Sequence, residues 1–86
     1  MIQIEAYSQY EATFKPIKTD DLKNGSGDLI GWCGIWEALW IIESGEYKGQ
    51  WAMGIYDAKN QIGKMTTFIW VPECDLEIHK EIQSET

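Results

Sequence analysis

Arginine is missing from this chain altogether, histidine occurs once, and no uncharged apolar run extends beyond Leu29 to Trp36. Each absence excludes something. Seven lysines face fourteen carboxylates, a formal charge of −7, so the field of the molecule repels phosphates instead of releasing their counterions, and the guanidinium fork that reads guanine edges is lacking. Direct nucleic-acid binding is excluded on that ground. A helix crossing a bilayer needs about 20 predominantly apolar residues, far more than the run offers, so no membrane partner is expected. The two cysteines, Cys33 and Cys74, stand far apart without a CxxC spacing. The N-terminus, Met1-Ile2-Gln3-Ile4-Glu5, carries no basic segment followed by an apolar one, and the expected compartment is the reducing cytoplasm.

The single histidine, His79, falls in a polar C-terminal stretch. A Ser-His-Asp or Cys-His arrangement needs an imidazole held beside its nucleophile in a pocket, so no nucleophilic enzyme is expected. Asp75, Glu77 and His79 alternate with Leu76 and Ile78; they read as the solvated face of an edge strand and not as a metal centre, although three mixed ligands of this kind do hold zinc elsewhere. Glu37 and Glu43 have apolar neighbours that suit a perturbed acid–base pair, but side chains on an open sheet face explain them equally. Gly25-Ser26-Gly27 lacks both the preceding buried strand and the following GK[ST] of a phosphate loop. No catalytic residue, cofactor or metal is assigned.

What the chain has in quantity is aromatic surface: five Trp, four Tyr and two Phe in 86 residues. All five Trp (32, 36, 40, 51 and 70) lie between Leu29 and Val71, which makes that stretch the core. Two turn-like breaks, 43–49 and 57–61, divide it into three runs rich in Ile, Trp, Thr and Phe, residues that suit a pleated surface. This predicts a three-stranded antiparallel meander. Ile2, Ile4 and Ala6 alternate with polar residues and predict a first strand, whereas 8–28, with Pro16 and many turn formers, reads as a long excursion anchored by Tyr10, Phe14 and Ile17. Trp32, Trp36 and Trp40 are spaced at i, i+4 and i+8, which fits one face of a strand or of a helix. Gly31, Gly34 and the β-branched residues favour a bent strand pair with a bulge near Cys33-Gly34, a short helix at 36–43 being the alternative. Strands are expected at Gln50–Tyr56 and Ile62–Val71, with Trp70 buried beside Phe68, and a short last strand around Leu76 and Ile78. The fold class is therefore all-β, mainly antiparallel: a small barrel or strongly bent sheet of 5–6 strands over residues 1–79, with 80–86 as a polar tail.

Trp51-Ala52-Met53-Gly54, a polar turn, Gly63, then Phe68-Ile69-Trp70-Val71-Pro72 leading through Glu73-Cys74-Asp75 into Leu76-Glu77-Ile78, resembles the second half of an SH3-type small barrel. Ala6-Tyr7-Ser8-Gln9-Tyr10 is similar to that family's Ala-Leu-Tyr-Asp-Tyr stretch and Gly27-Asp28 to its Gly-Asp, while Ala52 stands where the family has a second Trp. The resemblance implies a Trp strand, a hairpin, one 3₁₀ turn and a short final strand in that order. It also implies recognition of proline-rich peptides by Tyr7, Tyr10, Trp51 and Pro72.

Read together, charge and aromatics predict a non-enzymatic acidic binding protein. Its partner is a protein with a basic surface, for instance the nucleic-acid-binding face of a host enzyme that an inhibitor of phage or mobile-element type would occlude. The contacting residues are expected among Tyr7, Tyr10, Trp32, Trp36 and Trp51, with Asp20, Asp21, Asp28, Glu73, Asp75 and Glu77 as an acidic rim. Two alternatives stand beside it: a homo-oligomeric small-molecule binder with Trp32, Trp36, Trp51 and Tyr56 around a pocket, and an SH3-type peptide module.

Overall fold

A computed structural model describes residues 3–18, 26–63 and 69–82. Five strands, β1 (Gln9–Phe14), β2 (Cys33–Ile41), β3 (Trp51–Ile55), β4 (Trp70–Pro72) and β5 (Leu76–Ile82), form one antiparallel sheet in the order β4-β3-β2-β1-β5. A five-residue helix α1 (Ala58–Ile62) and 3₁₀ turns at Ser26–Leu29 and Glu73–Asp75 complete the described elements. The sheet does not close into a barrel: β4 and β5 are its two edges, and the Glu73–Asp75 turn carries the chain from one to the other.

The first strand is displaced from its expected position. Residues 3–8 form no strand, and Tyr7 takes a left-handed turn (φ 63°). The strand lies instead at 9–14, inside the stretch read as a long excursion, and is paired on both sides. Its alternation is complete, with Tyr10, Ala12 and Phe14 all buried; the middle position is an alanine, too small to register as an apolar anchor. The stretch 36–43 is strand and not helix through Ile41, because Trp36 and Ala38 face Ile55 and Met53 across the β2–β3 ladder. No bulge falls at Cys33-Gly34. The irregularity lies between Ala38 and Trp40, where three residues of β2 oppose two of β3. Of the expected strand 62–71, Ile62 instead closes α1, Trp70 and Val71 lie in β4, and 64–68, including Phe68, lie outside the described residues. At the other end β5 runs on through Lys80, Glu81 and Ile82, where a polar tail was expected.

The core sits on one face of the sheet. Tyr10, Ala12, Phe14, Trp36, Ala38, Met53, Val71 and Leu76 are buried there, and Ile4, Leu29, Trp32, Ile62 and Ile69 close over it. Phe14, Trp36 and Trp32 stack in series, with centroid separations of 6.1 and 5.8 Å. Gly34 is what admits Trp32: a Cβ there would stand 2.0 Å from the indole ring. Tyr10 keeps its hydroxyl satisfied by accepting from Glu5 N (2.8 Å) and donating to the Gln3 carbonyl (3.4 Å). No helix among the described residues is long and apolar enough to cross a membrane.

Candidate functional site

The bulge in β2 decides what the opposite face of the sheet displays. Strand alternation would put Trp40 on the same face as Trp36 and Ala38. The extra residue, Leu39, shifts the register so that Trp40 pairs with Ala52 and not with a core position. The register then sets two rows across β2, β3 and β4 on the outer face: Glu37, Gly54 and Trp70 in one, Trp40, Ala52 and Pro72 in the next. Trp40 and Trp70 meet edge to face, centroids 5.5 Å apart and planes at 65°. Leu39 lies over Gly54, its Cδ1 2.7 Å from where a Cβ would be. Ala52 and Ile42 are buried apart from the main core. The outer face thus carries a second apolar cluster, and Trp40 remains 42% exposed on top of it. Trp70, expected in the core, belongs half-buried to this cluster.

Glu37 stands in the same cross-strand row as Trp70, with Gly54 between them. It is half-buried, and its carboxylate makes no hydrogen bond or ion pair among the described residues.

The expected site residues are distributed differently. Tyr10 and Trp36 are wholly buried and offer nothing to a partner. Trp32 is half-buried as a lid on Trp36, and Trp51 packs half-buried against the core. Tyr7 is 72% exposed, its N–H bonded to the Ala38 carbonyl (2.7 Å) next to the bulge. Asp28 is exposed on the first 3₁₀ turn. Asp20 and Asp21 lie outside the described residues.

Of the acidic rim, Asp75 is only 6% exposed and accepts hydrogen bonds from Ile17 N (3.3 Å) and the Cys74 thiol (3.7 Å). Glu73 accepts from Trp51 N (2.9 Å), and Glu77 is ion-paired with Lys15. The Lys15 ammonium, by hydrogen bond and charge, holds the Glu77 carboxyl below its ordinary value. Lys18 pairs with Glu46, which raises the lysine's pKa. Partial burial, with Glu46 nearby, raises the Tyr47 phenol, and burial next to Asp75 raises the Cys74 thiol. These carboxylates tie segment 15–18, loop 43–50 and the Glu73–Asp75 turn together.

Asp75 sits in the 3₁₀ turn and not on the strand, and His79 Nε2 bonds to Oγ1 of Thr13 (2.8 Å), the register partner of Glu77. No group of three potential metal ligands occurs among the described residues. Cys33 is exposed, Cys74 half-buried, and both are free. Glu43 is exposed beyond the end of β2.

No family model, curated protein or solved structure matches this chain.

Proposed function

We propose that the chain is a non-enzymatic acidic binding protein that docks a protein partner on the outer face of its sheet. One observation carries the reading. A fold of this size spends two tryptophans and Leu39 on the face opposite its core, and leaves Trp40 42% exposed there. Exposed tryptophans clustered on a rigid strand scaffold are the residue type that dominates interface energetics. The charge of −7 favours a basic partner surface. A nucleic-acid-binding protein has such a surface, so the reading extends to an inhibitor of phage or mobile-element type acting in the cytoplasm.

A second reading draws on the strand order. The sequence β4-β3-β2-β1-β5, with a single 3₁₀ turn between the two edges, supports an SH3-type small barrel left open, and with it a peptide-binding module. Of the residues that the resemblance points to, Tyr10 and Pro72 are buried, so a peptide surface here would have to rest on Tyr7, Trp51 and the Trp40–Trp70 pair.

Affinity capture from host lysate at low and at high salt, with mass spectrometry, tests the main reading. The wild-type chain is expected to retain a partner that salt releases and that a folded Trp40→Ala variant does not retain. Equal capture by that variant would overturn the assignment of the outer face.

A further inference from the structure

We propose that Tyr7 is a preformed anchor, which the chain inserts into an apolar, cation-rimmed seat on its basic partner protein. The inference rests on the binding-protein reading above and names one of its contacts. The chain reverses at Glu5-Ala6-Tyr7-Ser8, a turn closed by the Ser8 N–H donating to the Glu5 carbonyl (3.2 Å). Tyr7 is the third residue of that turn, with φ 63°, a position that glycine or asparagine ordinarily fills because a Cβ crowds the left-handed backbone. The hydrogen bonds that follow repeat the demand. The Tyr7 N–H donates to the Ala38 carbonyl (2.7 Å) and the Ala38 N–H to the Ser8 carbonyl (3.0 Å), so two residues oppose one in a bulge whose left-handed first residue is again a glycine position.

A large aromatic residue thus stands where both the turn and the bulge favour no side chain at all. Packing does not offset the strain: Tyr7 is 72% exposed, more than any other large hydrophobic residue described, and its hydroxyl makes no hydrogen bond among the described residues. Strain held in place by backbone bonds, around a side chain that the core does not use, points to a use outside the fold. The turn is tied to β2 at Ala38, directly before Leu39, so the ring is presented from a backbone that needs no ordering on binding. Tyrosine suits the task, having an apolar body, a polar tip and few rotatable bonds. It is also one of the residue types that dominate interface hot spots. Charge sets the chemistry of the seat: Glu5, two residues before Tyr7, is exposed, and Glu37 adjoins Ala38 on β2. A lysine or arginine beside the seat meets these acids and the face of the ring.

The probe is the protein that the wild-type chain retains from host lysate, purified and titrated calorimetrically against the full chain and two variants. Tyr7→Gly removes ring and strain together, whereas Tyr7→Asn removes the ring and leaves a residue that accepts a left-handed backbone without glycine's freedom. Both are expected to melt at or above the wild-type temperature, Tyr7→Gly by up to a few degrees, and to bind with a dissociation constant raised about tenfold or more. A smaller loss of affinity in either variant overturns the proposal. So does a melting temperature several degrees lower in either, because the ring would then be holding the fold itself. If Trp40→Ala keeps capture and Tyr7→Gly loses it, the outer-face assignment falls and the anchor stands. The reverse result removes the anchor and leaves the face. A wild-type chain that retains no protein removes both.

Discussion

At the scale of single residues, the two tryptophans four apart on β2 have opposite duties. Trp36 is wholly buried between Phe14 and Trp32, yet its Nε1 has no hydrogen-bond partner among the described residues. A buried unpaired donor costs about 1–3 kcal/mol, a penalty tolerated because the indole fills the centre of the core. Trp36→Ala is expected to cost about 3–5 kcal/mol, most of what so small a domain has. Trp36→Phe removes the stranded N–H along with part of the ring, and the two effects offset, so the expected loss is under about 2 kcal/mol. Urea unfolding of both variants checks this, and a phenylalanine variant as unstable as the alanine one would refute the offset. The sequence offers identical letters at 36 and 40. Only the residue between Ala38 and Trp40 separates their fates.

At the scale of elements, side chains extend what the backbone ladder leaves off. Past Ile55 the β2–β3 ladder gives way to α1, and Gln61 on that helix accepts from Ile35 N (2.6 Å) and donates to Ile35 O (3.0 Å), standing in for a strand neighbour. Gln61→Ala leaves the Ile35 N–H to water or unpaired, while the Ile35 carbonyl keeps the Tyr56 N–H (3.0 Å); a loss of about 1–3 kcal/mol is expected, with faster amide exchange at Ile35. Exchange at Ile35 as slow as in the wild type would show that the glutamine is dispensable. Glu73 does the same for Trp51 N, and Asp75 for Ile17 N. Both sheet edges are blunted: β4 is three residues long and ends in Pro72, and β5 carries an irregularity in its pairing with β1 opposite Glu11 and Ala12.

At the scale of the whole molecule, charge opposes the fold. Only two ion pairs occur among the described residues, Lys15–Glu77 and Lys18–Glu46, and both are exposed, which limits each to a small contribution. The Glu77 carboxyl is held low by Lys15. Its small contribution is thus present above the ordinary carboxylate range and fades as pH falls through its folded value. Self-repulsion from the net charge of −7 acts against this. Screening is expected to raise the melting temperature by a few degrees between about 0.01 and 0.5 M sodium chloride, where the Debye length falls from about 30 Å to well under 10 Å. A melting temperature that fell over that range would mean that the ion pairs outweigh the repulsion. The sequence by itself determined the all-β class, the meander of β2, β3 and β4, the final strand and the acidic field, because period-2 alternation, turn residues and charge are local properties of the chain. It also carried the alternation of Tyr10, Ala12 and Phe14, but Ala12 is too small to announce a buried position until strands pair on both sides of it. The tertiary structure alone decided which tryptophans face out and which carboxylates are free. A single extra residue in β2 turns Trp40 away from the core, and Asp75 and Glu73 meet backbone donors from segments 58 and 22 residues away in sequence. Spacing along the chain encodes neither relation, since both arise from which strands lie side by side.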